Sequence, residues 1–169
     1  DLVAAALARR GDIGVLAVES GHETTGFVQR LERYEIECEL VPGEGLAAAV
    51  ELADAVVVEA DALSASAILG PPGSTAALLV GGHLGVPVWV VGGIGRCLPD
   101  DLIDAMTGKT PQSRWQHDRF VFADDGWGPV THLVRPTGVT EVSARSCDRS
   151  RAMSADCPSA PELLRSSPI

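Results

Sequence analysis

The sequence predicts an α/β chain of the Rossmann-like class, a three-layer sandwich around a mostly parallel sheet. Short apolar runs bounded by turn residues alternate with segments of helical spacing, which is the pattern of βαβ units. The interior must be built from small residues, because 46% of the chain is hydrophobic and only 4% is aromatic. Ala, Val, Leu and Gly suit close packing of helix on sheet. The 169 residues are enough for one domain with a substantial core.

Each element has a local reason. Leu2 to Arg10 reads as an amphipathic helix ended by Gly11. Ile13 to Val18 is a short apolar run and reads as a buried strand. Glu23 to Tyr34 has helical spacing, with Phe27, Val28 and Leu31 to one side. In Ile36 to Val41, apolar residues alternate with Glu37 and Glu39, as in a strand with one wet face. Leu46 to Leu52 is a short helix, and Ala55 to Glu59 is expected to be the most buried strand. A loop carrying Asp61 and a glycine-proline turn, Gly70 to Gly73, lead to a small-residue helix from Ser74 to Leu84, closed by Gly85. Val86 to Val91 is a further apolar strand ending in Gly92-Gly93, and Pro99 to Met106 a short helix with proline in its first turn. Arg119 to Ala123 and Val130 to Val134 are expected as edge strands. The folded domain is expected over residues 1–140. Residues 141–169, rich in Ser, Arg and Pro, read as a tail, disordered from Ser143 to Ile169.

Composition narrows the function. A net charge of -10 repels phosphate backbones, and no basic cluster offsets it, which argues against direct nucleic-acid binding. Cys38, Cys97, Cys147 and Cys157 are scattered without a Cys-x-x-Cys pair, so neither a zinc site nor a disulfide framework is expected, and a reducing cytoplasm is the simpler setting. No apolar run is long enough to span a membrane as a helix. His22, His83, His117 and His132 lack metal-ligand spacing. Neither a G-x-S-x-G elbow nor a Walker A loop is present. The chain starts at Asp1 inside a helix-like pattern, as a chain with an upstream part would.

Candidate site residues gather where parallel strands end. Asp61 follows a strand at the rim where α/β folds bind ligands, and there a carboxylate can act as general acid or base; the plainer role is bonding to nearby amides. Gly73-Ser74-Thr75 opens a helix whose free amides and dipole attract an anion, with Ser74 or Thr75 as an ordinary cap the plainer reading. Glu19-Ser20-Gly21-His22-Glu23 follows the first strand, and Ser20 with Glu23 has the spacing of a capping box. Gly92-Gly93-Ile94-Gly95 resembles half of a dinucleotide fingerprint without completing it.

From Asp1 to about Gly93 the layout resembles the C-terminal domain of the translation initiation factor 2B alpha/beta/delta family, which also holds methylthioribose-1-phosphate and ribose-1,5-bisphosphate isomerases. The carrying segments are VLAVESGHETTGFVQRL (Val15 to Leu31), YEIECELV, VVVEADAL with Asp61, and GPPGSTAALLVGGHLGVPVWVVG, whose spacing matches without a gap from Gly73 to Pro87. The resemblance implies that Asp61 occupies the place of the isomerases' catalytic acid/base. It also shows departures. Gly70 and Pro71 stand where an Asn-Lys pair helps hold substrate, Gly21-His22 replaces Arg-Pro, and Thr25 replaces a glutamine. The isomerases' catalytic cysteine belongs upstream of Asp1.

The resemblance therefore implies a regulatory or catalytically degenerate domain that binds a phosphorylated sugar or nucleotide. The phosphate is expected over the amides of Gly73, Ser74 and Thr75. Asp61 and Glu19, with Ser20 beside it, are expected to face hydroxyls, and Gly92 and Gly93 to allow close backbone approach. No metal or cofactor is expected. Partners would be further copies or paralogous subunits. The alternatives are an aldose–ketose isomerase of phosphosugars completed by an upstream region, and a protein-interaction module without ligand.

Overall fold

A computed structural model describes residues 2–93, 95–107, 117–123 and 126–142. The tail expected to be disordered from Ser143 onward lies outside the described residues. The chain forms two compact units, Asp1–Ala53 and Asp54–Ile169. Both have the α/β character expected.

In the N-terminal unit, helix α1 (Leu2–Ala8) precedes strand β1 (Gly14–Val18), helix α2 (His22–Arg33), strand β2 (Glu37–Val41), a 3-10 turn (Gly43–Gly45) and helix α3 (Leu46–Leu52). Strands β1 and β2 are parallel, with Val15 opposite Cys38 and Val18 opposite Val41, so α2 is the crossover of one βαβ unit. Ala4, Leu31 and Ile36 form its buried core, with Leu7, Val15, Phe27 and Cys38 packed around them. Phe27 and Leu31 lie one helical turn apart, and that spacing puts both against the same core. Burial, with the nearby Glu32 carboxylate, pushes the Cys38 thiol above its ordinary pKa. That keeps it protonated and a poor nucleophile.

The C-terminal unit holds strands β3 (Val56–Glu59), β4 (Ala62–Leu63) and β5 (Ala67–Gly70), helix α4 (Ser74–Leu84), strand β6 (Val88–Val91), helix α5 (Asp100–Thr107), and strands β7 (Asp118–Val121), β8 (His132–Arg135) and β9 (Gly138–Glu141). One sheet has the order β3-β6-β8-β9, with β3, β6 and β8 parallel and β9 antiparallel. The other is an antiparallel sheet in the order β4-β5-β7.

Helix α4 sits on the first sheet through a glycine. A Cβ on Gly81 would lie 2.7 Å from Val88 Cγ2 and 3.3 Å from Val56 Cγ2, so only a residue without a side chain lets the helix approach this closely. Val56, Val58, Val88, Val90 and Leu133 are buried on that face. Ala62, Leu69, Leu98 and Ile103 form a separate cluster that joins α5 to the antiparallel sheet.

Several expectations need correction. The strand expected to be most buried, now β3, alternates: Val56 and Val58 are buried, whereas Val57 is 50% exposed. It is an edge strand covered on one face, whereas every residue of β4 and β5 is buried. The segment 62–70, read as loop and turn, pairs as a hairpin, because Ser64 Oγ accepts the amides of Ser66 and Ala67 and turns the chain. β7 is an edge strand as expected, but β8 is interior, since β9 returns beside it with Arg135 opposite Gly138.

Candidate functional site

The parallel strands of the C-terminal unit end together. The Ala60 amide donates to the Val91 carbonyl and the Gly92 amide to the Val134 carbonyl, so β3, β6 and β8 finish at one rim. The peptide that leaves β3 turns at once into β4. The Asp61 amide donates to the Leu69 carbonyl, and Gly70, the next residue along β5, pairs with Asp118. Asp61 therefore joins the end of β3 to the antiparallel sheet of β4, β5 and β7. Open α/β sheets bind ligands at the carboxyl ends of their strands.

Asp61 is held from both sides. Its Oδ2 lies 3.1 Å from Nδ1 of His117, and its Oδ1 lies 3.6 Å from an Nη of Arg96. The same Nη donates to the Asp61 carbonyl oxygen at 3.0 Å. All three side chains are partly open to solvent, Asp61 at 34%, His117 at 41% and Arg96 at 47%. Exposed pairs of this kind contribute little to stability, about 0–1 kcal/mol each. Their significance is the geometry: a carboxylate, an imidazole and a guanidinium gathered beside the rim where the parallel strands end.

The start of α4 is also engaged. Its N-cap is Gly73 with φ 93, a left-handed conformation that favours glycine, and no side chain of the local sequence caps it. The cap comes from β7: Asp118 Oδ2 accepts the amides of Gly73 at 3.0 Å and Thr75 at 3.1 Å. The Ser74 amide turns back to the Pro71 carbonyl, and Ser74 itself is buried. Gly70 carries no side chain because Ser74 covers it; a Cβ there would lie 2.7 Å from Ser74 Oγ. Neither Ser74 nor Thr75 is the cap, as the sequence alone would suggest. A carboxylate from 43 and 45 residues away takes that role, where the helix dipole favours negative charge.

Gly92 is buried, and a Cβ on it would meet Leu63 Cδ2 at 3.2 Å. The close approach that Gly92 permits is thus made by Leu63, itself fully buried. Gly93 is half-buried and its carbonyl accepts the Arg96 amide, forming the turn that delivers Arg96 to Asp61.

Glu19 and Ser20 belong to the N-terminal unit, just past β1. The Glu19 amide donates to the Val41 carbonyl. The capping box of Ser20 with Glu23 does not form. The helix starts one residue later, with Gly21 at φ 120 as N-cap and no side-chain cap. Ser20 instead faces Thr24, whose Oγ1 accepts the Ser20 amide at 3.0 Å and lies 3.3 Å from its hydroxyl.

Beside the rim, Asp100 at the start of α5 ties that helix to the β4–β5 turn. Its Oδ1 accepts the Ser66 hydroxyl at 2.6 Å and the Ser66 amide at 3.2 Å. Hydrogen bonds from Ser64 and Ser66 hold the Asp100 carboxyl below its ordinary pKa. Among the described residues no cluster of His, Cys, Asp and Glu has the arrangement of a metal site. No helix among them is long and apolar enough to cross a membrane.

Sequence reasoning singled out Asp61 but not Arg96, His117 or Asp118. Arg96 was visible only as a residue after a glycine turn. His117 and Asp118 sit more than fifty residues from Asp61, and nothing in local spacing links them.

No protein-family model matches this sequence, and no curated protein is significantly similar to it. Solved structures share its fold. Translation initiation factor eIF-2B subunit delta from A. fulgidus superposes with a TM-score of 0.63 at 17% identity, covering 83% of this chain and 47% of that one. The 5-methylthioribose 1-phosphate isomerase from Pyrococcus horikoshii OT3 gives 0.61 at 14% identity, covering 90% and 48%. A chain of the tetrameric eIF2B-beta2-delta2 complex from C. thermophilum gives 0.59 at 15%, covering 90% and 57%. The chain therefore spans about half the length of the structures it matches.

Proposed function

We propose that this chain is an initiation factor 2B-type domain that binds a phosphorylated sugar or a nucleotide at the rim of β3, β6 and β8, in a regulatory rather than catalytic capacity. The observation that carries the reading is Asp61, held partly exposed at that rim between Arg96 and His117. A polar, charged cluster at the carboxyl ends of parallel strands is where such folds take ligands. The shared fold with initiation factor 2B subunits and with a sugar-phosphate isomerase supports the ligand class. The regulatory character rests on what surrounds Asp61. Gly70 and Pro71 offer neither a charge nor a side-chain donor. Assembly with further copies or with paralogous subunits, in the cytoplasm, belongs to the same reading.

A protein-interaction module without ligand is the second reading. It is favoured by the filling of two places a ligand could use, by Asp118 at the start of α4 and by Leu63 against Gly92.

A thermal-shift series with ribose 5-phosphate, ribose 1,5-bisphosphate and AMP separates the two. A ligand at 100 times its dissociation constant adds about 2.7 kcal/mol of stability. The expected result is a shift with one of these compounds that disappears in Asp61→Ala. A well-folded protein that shifts with none of them would overturn the ligand-binding reading in favour of the interaction module.

A further inference from the structure

We propose that the phosphate of the ligand is held by Arg96 and His117, positioned by Asp61, and not by the amides that open α4. This rests on the reading of the rim as a ligand site and assigns the groups that would make the contact.

The α4 amides are already engaged. Those of Gly73 and Thr75 both donate to Asp118 Oδ2, so a phosphate arriving there would have to expel a carboxylate from hydrogen bonds of 3.0 and 3.1 Å. Asp61 is engaged as well. Each of its carboxylate oxygens faces a cationic or imidazole nitrogen, Oδ1 toward Arg96 and Oδ2 toward His117. Its role is therefore that of a bridge that orients two longer side chains.

Those side chains keep unused bonding capacity. Arg96 bonds the Asp61 carbonyl through a single Nη, and its remaining N–H groups form a planar fork suited to a phosphate. An ionised carboxylate only accepts hydrogen bonds, so the His117 nitrogen facing it, Nδ1, must carry a proton. That leaves Nε2 without a bonding partner among the described residues. In the neutral ring Nε2 accepts from a ligand hydroxyl, and in the charged ring it donates to a phosphate oxygen. A guanidinium fork beside an imidazole of fixed tautomer matches a phosphate ester with a neighbouring hydroxyl, the end group of a sugar phosphate. Arg96 and His117 are also more exposed than the Asp61 they flank.

The test is isothermal titration of the full chain with ribose 5-phosphate, for wild type, Arg96→Gln, His117→Gln, Asp118→Asn and Ser74→Pro, each checked for folding by its melting curve without ligand. Arg96→Gln and His117→Gln are expected to weaken binding by about tenfold or more, and Asp118→Asn to change it by no more than about twofold. If Arg96→Gln does not fold, Arg96→Lys replaces it and is expected to weaken binding too, since lysine lacks the fork. Binding that survives in both Arg96 and His117 variants, strengthens in Asp118→Asn and is lost in Ser74→Pro would place the phosphate on α4. That result overturns this inference and leaves the rim site standing. Absence of binding by wild type to ribose 5-phosphate, ribose 1,5-bisphosphate and AMP alike would remove both. The positioning role has its own readout in the nitrogen chemical shifts of His117. The Nδ1-protonated tautomer is expected in wild type and the Nε2-protonated one in Asp61→Ala, which removes the acceptor; an unchanged tautomer would refute the bridge.

Discussion

Replacing Asp118 by alanine tests whether a distant carboxylate caps α4. The wild-type side chain accepts two amides, those of Gly73 and Thr75, from a helix start that has no local side-chain cap. Loss of an N-cap acceptor costs about 0.5–2 kcal/mol. The negative charge adds its attraction to the helix dipole, about 0.3–1 kcal/mol. The site is only part-buried, so water can reach the freed amides and the larger penalty for a buried unsatisfied donor does not apply. The expected loss is thus about 1–2 kcal/mol. In the thermal midpoint this corresponds to roughly 2–8 °C for a chain of this size. Asp118→Asn keeps an acceptor oxygen and loses the charge, so it should recover about half of the deficit, and the remaining gap should shrink as salt screens the dipole. Urea denaturation of the three proteins in low and high salt measures this, with amide hydrogen exchange at Gly73 and Thr75 as the local readout. An Asp118→Ala protein as stable as wild type, with Gly73 and Thr75 amides equally protected, would refute the assignment of the cap.

Gly81→Ala should destabilise the C-terminal unit by about 1–3 kcal/mol through overpacking, because its Cβ would meet Val88 and Val56; a chemical melt that leaves the midpoint unchanged would show that α4 lies farther from the sheet. Asp100 supplies a pH dependence. Hydrogen bonds from Ser64 and Ser66 depress its folded-state pKa, so its stabilisation is complete above the unfolded carboxylate range near about pH 4 and is lost as pH falls through the lower folded value. Asp100→Asn should therefore be less stable at neutral pH and lose less on acidification below about pH 4 than wild type, as urea midpoints across that range will show. Equal losses in both proteins would assign the acid sensitivity to other carboxylates.

Much of the fold was legible because its signals are local. The bounds of α3 and α4 agree with the expected Leu46 to Leu52 and Ser74 to Leu84, the latter bracketed by left-handed glycines at 73 and 85. β1, β2, β3 and β6 fall within their expected apolar runs. The hairpin of β4 and β5 was not legible. Ala62 to Gly70 is short, small-residued and without alternation, and what makes it a sheet is a serine turn together with the later strand β7. β9 escaped notice for a similar reason: its side chains are all exposed, so it shows no buried face, and it exists because β8 offers an edge.

The site divides along the same line. Sequence by itself determined the α/β class, the strand that delivers Asp61 to a rim and the glycine that starts α4, because backbone preference and apolar periodicity act over a few residues. Tertiary structure alone decided what stands beside those groups. Arg96 and His117 meet Asp61 across 35 and 56 residues, and Asp118 reaches α4 across 43 and 45. Hydrogen bonds of this kind depend on the register of β5 with β7 and on the turn after β6, and register is set by the packing of whole strands, which no short window of sequence contains.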